Sequence, residues 1–455
     1  GQRCDFNRNI GGQTLNAKRA KNINELIITD LNFAMYREDL ITAKAIADIQ
    51  HNYNYPIMID SSAGKNMPER TIEVAGIMKG WIMGAAVQST DPGVLKSIRR
   101  SNISSNAYKE LVDFGNTIKS NETYTEVILG LPTDSKQSHF ESLRFGIDSN
   151  VKSMRMYQAM VLPGTEMASN IDRKKYEFVT KFRTIPGCVG IYEILGNKHP
   201  VAEIEEIIVG TNTLTTEDYI DCRLMNLIIR TFYNNRFFEE LHALLRSIGV
   251  SPFDCLIYMK EHPELYSERI KKILASFVTE TIEDLFDTWD EANQYVLSPE
   301  IINSYIGGEL GNNELAKHSY LLLSEFEEIC ELMFESVRGS LRENNLLSLK
   351  LDGYLIDLKR FINLRKNDPL NNPDSVTSAK FRYDFEHIRK ASFHIDVDEM
   401  EELKTPVEFE FFHNETQQEH VSNALKLYGN HTNSKARIFQ QSNMALIFRS
   451  FRRAL

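Results

Sequence analysis

Residues 124–132 read YTEVILGLP and precede a segment with helical spacing at residues 138–150. The first six residues are rich in β-branched and apolar side chains, and the run is too short for a typical helix, so it predicts a buried strand. Gly130 and Pro132 mark the turn that ends this strand. A strand, a turn and a helix form the repeating unit of parallel sheets.

The same unit recurs on both sides of this stretch. Other short apolar runs predict strands at residues 26–30, 57–60, 81–88 and 154–161. Segments with helical spacing lie between them at residues 39–51, 68–79 and 104–119. Strands that alternate with helices predict a parallel sheet, which right-handed crossovers close toward a barrel. The predicted fold class is therefore α/β.

Each predicted strand is followed by polar or turn residues, at the end where parallel sheets carry their ligand sites. These strand ends contain Asp30 and Asn32; residues 60–66 with Lys65; Gln88 and Ser89; Gly130 and Pro132; and Leu162 with Pro163 and Gly164. One polar residue at a strand end is ordinarily a helix cap, but five such ends in succession predict a ligand-lined mouth.

The character of the sequence changes after residue 170. Residues 171–214 contain Pro and Gly and predict an extended, loop-like connection, and residues 215–365 predict a helical domain. The long amphipathic helices are expected at residues 217–247, 252–262, 265–293 and 313–344. Residues 366–455 open with a linker at 366–378 and predict a small α+β module with a strand at 407–412 and a helix at 416–428.

Composition excludes several classes of partner. The 455-residue chain has a net charge of -11, which argues against a nucleic-acid partner because phosphate contacts need clustered Lys and Arg. There is no apolar run of the roughly 20 residues that cross a bilayer and no signal peptide, so we expect no membrane association and a cytoplasmic location. The cysteines are isolated, which indicates reduced thiols and no metal site of their own: Cys4, Cys188, Cys222, Cys255 and Cys330.

Specific segments carry a resemblance to a known superfamily. These are residues 28–33 (ITDLNF), 88–95 (QSTDPGVL) with 98–104 (IRRSNIS), 126–132 (EVILGLP) and 160–168 (MVLPGTEMA). In order, spacing and strand context they resemble radical S-adenosylmethionine (radical SAM) proteins, particularly the group associated with a cobalamin-binding domain. Fainter likeness continues at residues 211–219 and 427–429. The resemblance implies a partial (β/α) radical SAM-type barrel over residues 1–170, followed by the mostly α-helical C-terminal domain.

The resemblance also implies cofactors and their positions. S-adenosylmethionine would bind with its methionine end near Asp30 and Asn32, and the ribose or the substrate would face Gln88, Ser89 and Glu126. The backbone from Gly130 to Pro132 would pass close to the adenine, where a glycine permits near approach. Further candidate cofactor-binding positions are Lys65, Gln158 and Leu162. The family also implies a 4Fe-4S cluster, possibly cobalamin, a small-molecule substrate and an electron donor such as a flavodoxin or a ferredoxin.

One departure from the family pattern is decisive. The CxxxCxxC loop that holds the cluster is absent, and Cys4 alone cannot supply its three thiolates. The segment before residue 26 is also shorter than a full first crossover. We expect either a fragment that works with an N-terminal half or a cobalamin-binding domain, or a degenerate, non-catalytic relative.

Two functional hypotheses follow from the resemblance, and a third from local sequence. The first is part of a radical SAM enzyme for methyl transfer, cyclisation or rearrangement of an unknown small molecule. The alternative is a radical SAM-like barrel that acts as a binding or interaction protein, with the helical half docking a partner. The third is an ordinary phosphate-binding barrel that uses Gly11 and Gly12, although no Walker-type or Rossmann spacing supports it.

Overall fold

In the computed structural model, residues 25–63, 67–84, 86–117, 122–311, 313–396 and 401–454 are described. The chain folds as two compact units, Gly1–Gln158 and Ala159–Leu455. Lys65 and Cys4 lie outside the described residues.

The first unit contains a five-stranded sheet in which every neighbouring pair is parallel and the strands follow one another in chain order. The strands are β1 (Glu25–Phe33), β2 (Met58–Ala63), β3 (Trp81–Gly84), β4 (Glu122–Leu129) and β5 (Ser153–Gln158). The connecting helices are α1 (Asp39–Tyr53), α2 (Pro68–Ile77), α3 (Pro92–Ser97), α4 (Ser105–Thr117) and α5 (Lys136–Asp148). The prediction of an α/β fold with a parallel sheet is confirmed.

One face of this sheet packs against helices. Val127 and Leu129 are fully buried on β4, which α4 and α5 both contact. A Cβ atom on Gly146 of α5 would lie only 2.5 Å from the Met154 sulfur, so this helix lies directly on β5. On the same face, the Trp81 ring of β3 is fully buried, and it meets Phe33 edge-on with 5.7 Å between the ring centroids. This face forms the core of the unit.

The second unit contains, near its start, a long antiparallel hairpin, β6 (Val179–Ile194) and β7 (Asn197–Gly210). Within the extended connection predicted at residues 171–214, the loop-like character was wrong over the hairpin, because its Gly and Pro residues obscure the strand pattern in the sequence. The strand predicted at residues 154–161 is shorter in the structure, because β5 ends at Gln158. The residues that follow pair with β7 instead, and the Val161 amide donates to the Glu206 carbonyl at 2.8 Å.

Helices fill most of the second unit. They are α6 (Asn170–Lys175), α7 (Thr216–Phe232), α8 (Glu239–Ser247), α9 (Pro252–Glu261), α10 (Glu268–Glu283), α11 (Trp289–Val296), α12 (Pro299–Ile306), α13 (Glu314–Leu323), α14 (Phe326–Glu343) and α15 (Leu349–Lys366). Three of the long predicted helices are in fact pairs of shorter ones. Between α7 and α8 the backbone turns through Asn235 and Arg236, both of which have positive φ angles, and a continuous helix excludes that conformation.

The end of the chain forms a small sheet packed on a helix. Strands β8 (Thr377–Phe381), β9 (Val407–Phe412) and β10 (Ser450–Arg453) are antiparallel in the order β10-β9-β8. Helices α16 (Phe385–Lys390), α17 (Glu415–Tyr428) and α18 (Thr432–Gln441) belong to the same region. Phe361 of α15 packs on an aromatic cluster from this sheet, including Phe411 at 5.6 Å and Phe451 at 4.8 Å between ring centroids.

Within the described parts of the chain, every helix is too short or too polar to cross a membrane.

Candidate functional site

Parallel strands bring their carboxyl ends to one edge of the first unit. At this edge β1 departs from regular pairing, because the register shifts between Ile28 and Phe33. Asp30 and Asn32 lie in this irregular stretch, and the Asp30 carboxylate accepts the Asn32 amide hydrogen at 2.9 Å. Asn32 is exposed. A local kink of this kind re-aims side chains at the rim of a sheet.

Gln88 occupies a strained position beside β4. Its φ angle is +60°, which a residue other than glycine seldom adopts. The Gln88 amide donates to the Glu126 carbonyl at 2.7 Å, and the Ile128 amide donates to the Gln88 carbonyl at 2.9 Å. The Asn102 side chain donates to the carbonyls of both flanking residues, Val87 at 3.1 Å and Ser89 at 2.8 Å. The fold thus holds Gln88 next to Glu126 in a conformation that strained functional residues often show.

Ser89 is placed differently from its neighbour. It is 2% exposed, and its hydroxyl accepts the Asp91 amide hydrogen at 3.2 Å, near the start of α3. The hydroxyl also lies 3.5 Å from that of Ser142 on α5. These contacts join two helices to the strand end, so the side chain of Ser89 already has a structural role.

The turn after β4 is held by a buried carboxyl group. Gly130 has a φ angle of +83°, so a glycine suits this position. The Asp134 carboxylate accepts the Ser138 hydroxyl at 2.6 Å and the Ser135 amide at 3.1 Å, and the Pro132 carbonyl accepts the Ser97 hydroxyl at 2.9 Å. Burial raises the pKa of Asp134 to about 6, although these hydrogen bonds oppose the shift. The predicted adenine-facing loop is therefore firmly anchored.

The face of the sheet opposite the helices is polar and partly exposed. Residues that are paired across neighbouring strands lie on the same face, as do alternate residues of one strand. The pairs Ser62 with Gly84, Gly84 with Tyr124 and Glu126 with Arg155 therefore define this face. We call this surface the open face; beside Ile82 and Ile128 it carries the polar and charged residues Asp60, Ser62, Tyr124, Glu126, Ser153, Arg155 and Tyr157.

A stack of side chains lies at the centre of the open face. The Arg155 guanidinium sits over the Tyr124 ring at 3.5 Å from its centroid, and one of its nitrogens is 3.9 Å from the Glu126 carboxylate. Arg155 also hydrogen-bonds to Tyr157. Tyr124 lies against the bare backbone of Gly84, where an added Cβ would be 2.2 Å from the ring. Burial raises the pKa of Tyr124 to about 12, opposed by Arg155 and supported by Glu126 and Asp60.

The remaining candidate positions are distributed more widely. Gln158 pairs with Leu129, and the register places both on the helix-covered side rather than on the open face. Leu162 belongs to the second unit, where its side chain is 53% exposed and its carbonyl accepts the Thr165 hydroxyl at 2.7 Å. The structure therefore brings Gln88, Glu126 and Gly130 together at one edge.

No described residues form a cluster of three or more His, Cys, Asp or Glu side chains able to hold a metal ion. The described cysteines also do not fit an iron–sulfur cluster. Cys222, Cys255 and Cys330 are buried in the helical unit. Burial raises the pKa of Cys255 and of Cys330 to about 12, which disfavours the thiolate that ligates iron.

Two residues of the open face, Arg155 and Tyr157, were missed in the sequence. The run MRMYQAMV shows apolar and polar residues in near alternation, which is a usable signal for a half-buried strand with one polar face. Asn102 was noted only as part of a motif, because its two hydrogen bonds depend on a turn that sequence patterns do not reveal.

Known proteins resemble this chain over about half its length. It is 28% identical over 242 residues to 2-(S-pantetheinyl)-carbapenam-3-carboxylate methyltransferase of Streptantibioticus cattleyicolor, covering 51% of this chain and 34% of that protein. It is 26% identical, with the same coverage, to the cobalamin-dependent radical SAM methyltransferase TokK of Streptomyces tokunonensis. The match spans about a third of the length of these curated relatives. No family model matches the chain.

Among solved structures, this chain aligns with the radical S-adenosylmethionine methyltransferase TsrM of Kitasatospora setae, which has tryptophan substrate and a SAM analogue bound. The TM-score is 0.29 and the sequence identity 14%, and the alignment covers 40% of this chain and 35% of TsrM. The two methyltransferases found by sequence confirm the resemblance to cobalamin-associated radical SAM proteins.

Proposed function

We propose that this chain forms the S-adenosylmethionine-binding part of a cobalamin-dependent radical SAM methyltransferase. The observation that carries the proposal is the 242-residue similarity to two methyltransferases, one of them described as cobalamin-dependent radical SAM. The polar residues at the strand ends, gathered at one edge of a parallel sheet, support a ligand site there. The substrate is proposed to be a small molecule.

The sheet of the first unit is proposed to be part of a (β/α) barrel whose inner surface is the open face. Consecutive parallel strands, helices on one side and a polar opposite side all support this arrangement, since barrels carry helices outside and side chains of alternate residues inside. The proposed division of the chain remains 1–170, 171–214, 215–365 and 366–455.

The chain's own residues would bind and orient the cofactor, which when bound supplies methyl groups and, on reductive cleavage, the reactivity for radical chemistry. Asp30 and Asn32 would hold its methionine end with a carboxylate and an amide. Glu126 would accept hydrogen bonds from ribose hydroxyls or from the substrate, beside the constrained Gln88. The anchored loop at Gly130 would present backbone atoms to the adenine. Ser89, Pro132, Lys65, Gln158 and Leu162 remain proposed cofactor contacts.

The iron–sulfur cluster is not assigned to the described residues, because no three of their potential ligands come together and three of the four described cysteines are buried. We therefore derive no step through it. In the proposed enzyme its ligands, the cobalamin-binding domain and the contact for an electron donor such as a flavodoxin or a ferredoxin lie outside the residues described.

The proposal is tested on the complete gene product, purified without oxygen and supplied with iron, sulfide, cobalamin and a strong reductant. We expect 5′-deoxyadenosine and S-adenosylhomocysteine, and S-adenosylmethionine binding that Glu126→Gln weakens. Glu110→Gln is the matched control, because it makes the same change at an exposed position on α4. Absence of S-adenosylmethionine binding would overturn the proposal. Binding without either product would instead favour the binding-protein alternative.

A further inference from the structure

The end of the β6–β7 hairpin is an exposed two-stranded ribbon. We call residues 189–202 the hairpin tip; every residue from 191 to 201 is exposed. Several of the exposed side chains are large and apolar: Ile191, Tyr192, Ile194, Leu195 and Val201. A two-stranded hairpin without further partners is at best marginally stable in water. An added strand would therefore stabilise this ribbon.

One edge of the ribbon directs its backbone groups outward. Pro200 has no N–H and is paired with Ile191, which fits a pair without hydrogen bonds between the two strands. The two-residue turn at residues 195–196 gives the same alternation, because the residues that flank such a turn form a hydrogen-bonded pair. The N–H and C=O groups of Val189, Ile191 and Glu193 therefore point away from β7.

Nearer its base, the same edge of β6 is already paired. Phe182 and Phe286 exchange two backbone hydrogen bonds of 2.8 Å, and the Gly187 amide donates to the Gly311 carbonyl at 3.0 Å. Beyond Gly187, no described residue continues this pairing toward the tip. The other edge of the ribbon is protected, since Pro200 of β7 faces outward and cannot donate a hydrogen bond there. The hairpin tip therefore has one open edge, on β6.

The turn at the end of the tip carries a residue that its conformation does not favour. Leu195 has a φ angle of +53° and is 97% exposed, and Gly196 follows with a φ angle of +79°. Turns of this type prefer Asn-Gly, because Asn tolerates a positive φ angle better than Leu does. Neither the local conformation nor burial explains a leucine here, whereas contact with a partner would.

The hairpin tip is neutral on an acidic chain. Glu193 is paired with Lys198, and residues 189–202 contain no other Asp, Glu, Lys or Arg. The net charge of the whole chain is -11, so two copies repel each other on average. The tip does not contribute to this repulsion, which favours it as the place where two copies meet.

We propose that two copies of this chain pair through the open edge of β6, antiparallel and centred on Ile191, and form one four-stranded sheet. In this register Ile191 lies opposite Ile191 of the second copy, and Val189 lies opposite Glu193. Each of these pairs exchanges two hydrogen bonds, so every outward-pointing group of the edge is used. The contact is two-fold symmetric, as in most homodimers, and does not depend on the proposed function.

Side chains on the paired strands fit this register. Tyr192 lies opposite Gly190 of the second copy, and an aromatic ring opposite a glycine stabilises the edge of a sheet. Glu193 lies opposite Val189, so no like charges face each other across the axis. The edge is therefore complementary to itself in shape and in charge, which favours a second copy over an unrelated strand.

The same register gives the exposed turn a contact. Continued along the strand, it places Leu195 of one copy opposite Gly187 of the other. Gly187 is bonded to Gly311, and the adjacent Leu310 is 37% exposed. In the proposed dimer Leu195 packs against Leu310 of the second copy, which accounts for a leucine in this turn.

The test follows the mass of the complete gene product by sedimentation velocity as the protein concentration rises. We expect a dimer with a Kd of roughly 1–100 µM, since two short paired strands form an interface at the small end of the specific range. Ile191→Lys puts two like charges opposite each other on the symmetry axis and should weaken dimerisation at least roughly tenfold. Val201→Lys is the matched control and should dimerise like wild type, because Val201 is 44% exposed against 42% for Ile191 but lies on β7.

Two further variants separate the proposed pairing from a damaged hairpin. Ile191→Glu alone should fail to dimerise, but an equal mixture with Ile191→Lys should regain the dimer, because opposite charges then meet on the axis. A misfolded hairpin would not be rescued by mixing. Leu195→Asn suits the turn better than leucine does, yet it should weaken the dimer because the contact with Leu310 is lost.

The proposal is overturned if the wild-type protein stays monomeric throughout this concentration range, if Ile191→Lys dimerises as well as Val201→Lys, or if the mixture of the Lys and Glu variants stays monomeric. A dimer that tolerates Ile191→Lys would show that the copies meet on another surface. A monomer that binds a different protein through the hairpin tip would show that this protein, and not a second copy, adds the strand.

Discussion

Replacing Gly84 by alanine tests how the centre of the open face is built. An ideal Cβ at this position would lie 2.2 Å from both Cζ and the hydroxyl oxygen of Tyr124, and 2.7 Å from Cε1. Carbon atoms do not approach so closely, so the ring must move. Tyr124 is only 6% exposed and lies under the Arg155 guanidinium, so the ring cannot move without disturbing that contact.

The expected cost has two parts. Overpacking a filled site typically lowers the free energy of unfolding by about 1–3 kcal/mol. Displacing the arginine from the ring adds roughly 0.5–1 kcal/mol at a partly exposed position. We therefore expect Gly84→Ala to lower the free energy of unfolding of the first unit by about 1.5–4 kcal/mol.

The assay uses the two tryptophans of the chain. Trp81 belongs to β3 and is fully buried, whereas Trp289 belongs to the second unit. In a Trp289→Phe background, urea unfolding followed by fluorescence therefore reports on the first unit alone. Gly76→Ala is the matched control, because its Cβ would meet only Phe114 Cζ at an ordinary 3.8 Å. It should be neutral or stabilise helix α2 by up to about 1 kcal/mol.

A double-mutant cycle decides whether the steric account is right. In a Tyr124→Ala background the clash is gone, so Gly84→Ala should cost almost nothing. The reasoning is refuted if the substitution costs the same with and without the Tyr124 ring, or if it costs no more than Gly76→Ala.

Three further outcomes are expected. Burial raises the folded-state pKa of Asp134 from 3.8 to about 6, so protonation of this carboxyl group stabilises the folded state. As the pH rises from 4 to 7, the wild-type chain should therefore lose up to about 3 kcal/mol of stability relative to Asp134→Asn. Equal pH profiles for the two proteins in the Trp81 assay would contradict this. Glycine adopts the +60° φ angle of Gln88 without strain, so Gln88→Gly should raise the unfolding free energy of the first unit by up to about 1 kcal/mol or leave it unchanged. A decrease of more than about 1 kcal/mol would show that the Gln88 side chain has a packing role. Lys366→Met should cost about 3 kcal/mol, because Lys366 is fully buried and its ammonium donates to Glu240 at 2.6 Å. Hydrogen exchange of α15 measures this loss of stability. A second substitution, Glu240→Gln, should partly restore the stability; if it does not, the broken ion pair is not the cause of the loss.

Much of the first unit could be predicted from local sequence. Short β-branched runs such as residues 124–129 and segments with helical spacing such as residues 39–51 form strands and helices close to their predicted bounds. The predicted strand at residues 407–412 has the same bounds in the structure. These elements follow from side-chain spacing within about ten residues, which a sequence displays directly.

Other features depended on partners far away in the chain. Residues 154–161 have strand-like composition throughout, yet β5 stops at Gln158 because the following residues pair with β7, nearly fifty residues later. The strained turn at Gln88 depends on hydrogen bonds from Asn102 and with β4. Neither dependence leaves a local signature.

By itself, the sequence determined that the first half of this chain alternates strands and helices, and which polar residues end those strands. Only the tertiary structure decided which of them meet. It set Ser89 among buried helix contacts and placed Arg155 over Tyr124 beside Glu126. The reason is physical: the composition of a segment governs whether it forms a strand, but strand register and the packing of distant residues govern which face each side chain occupies and what it contacts.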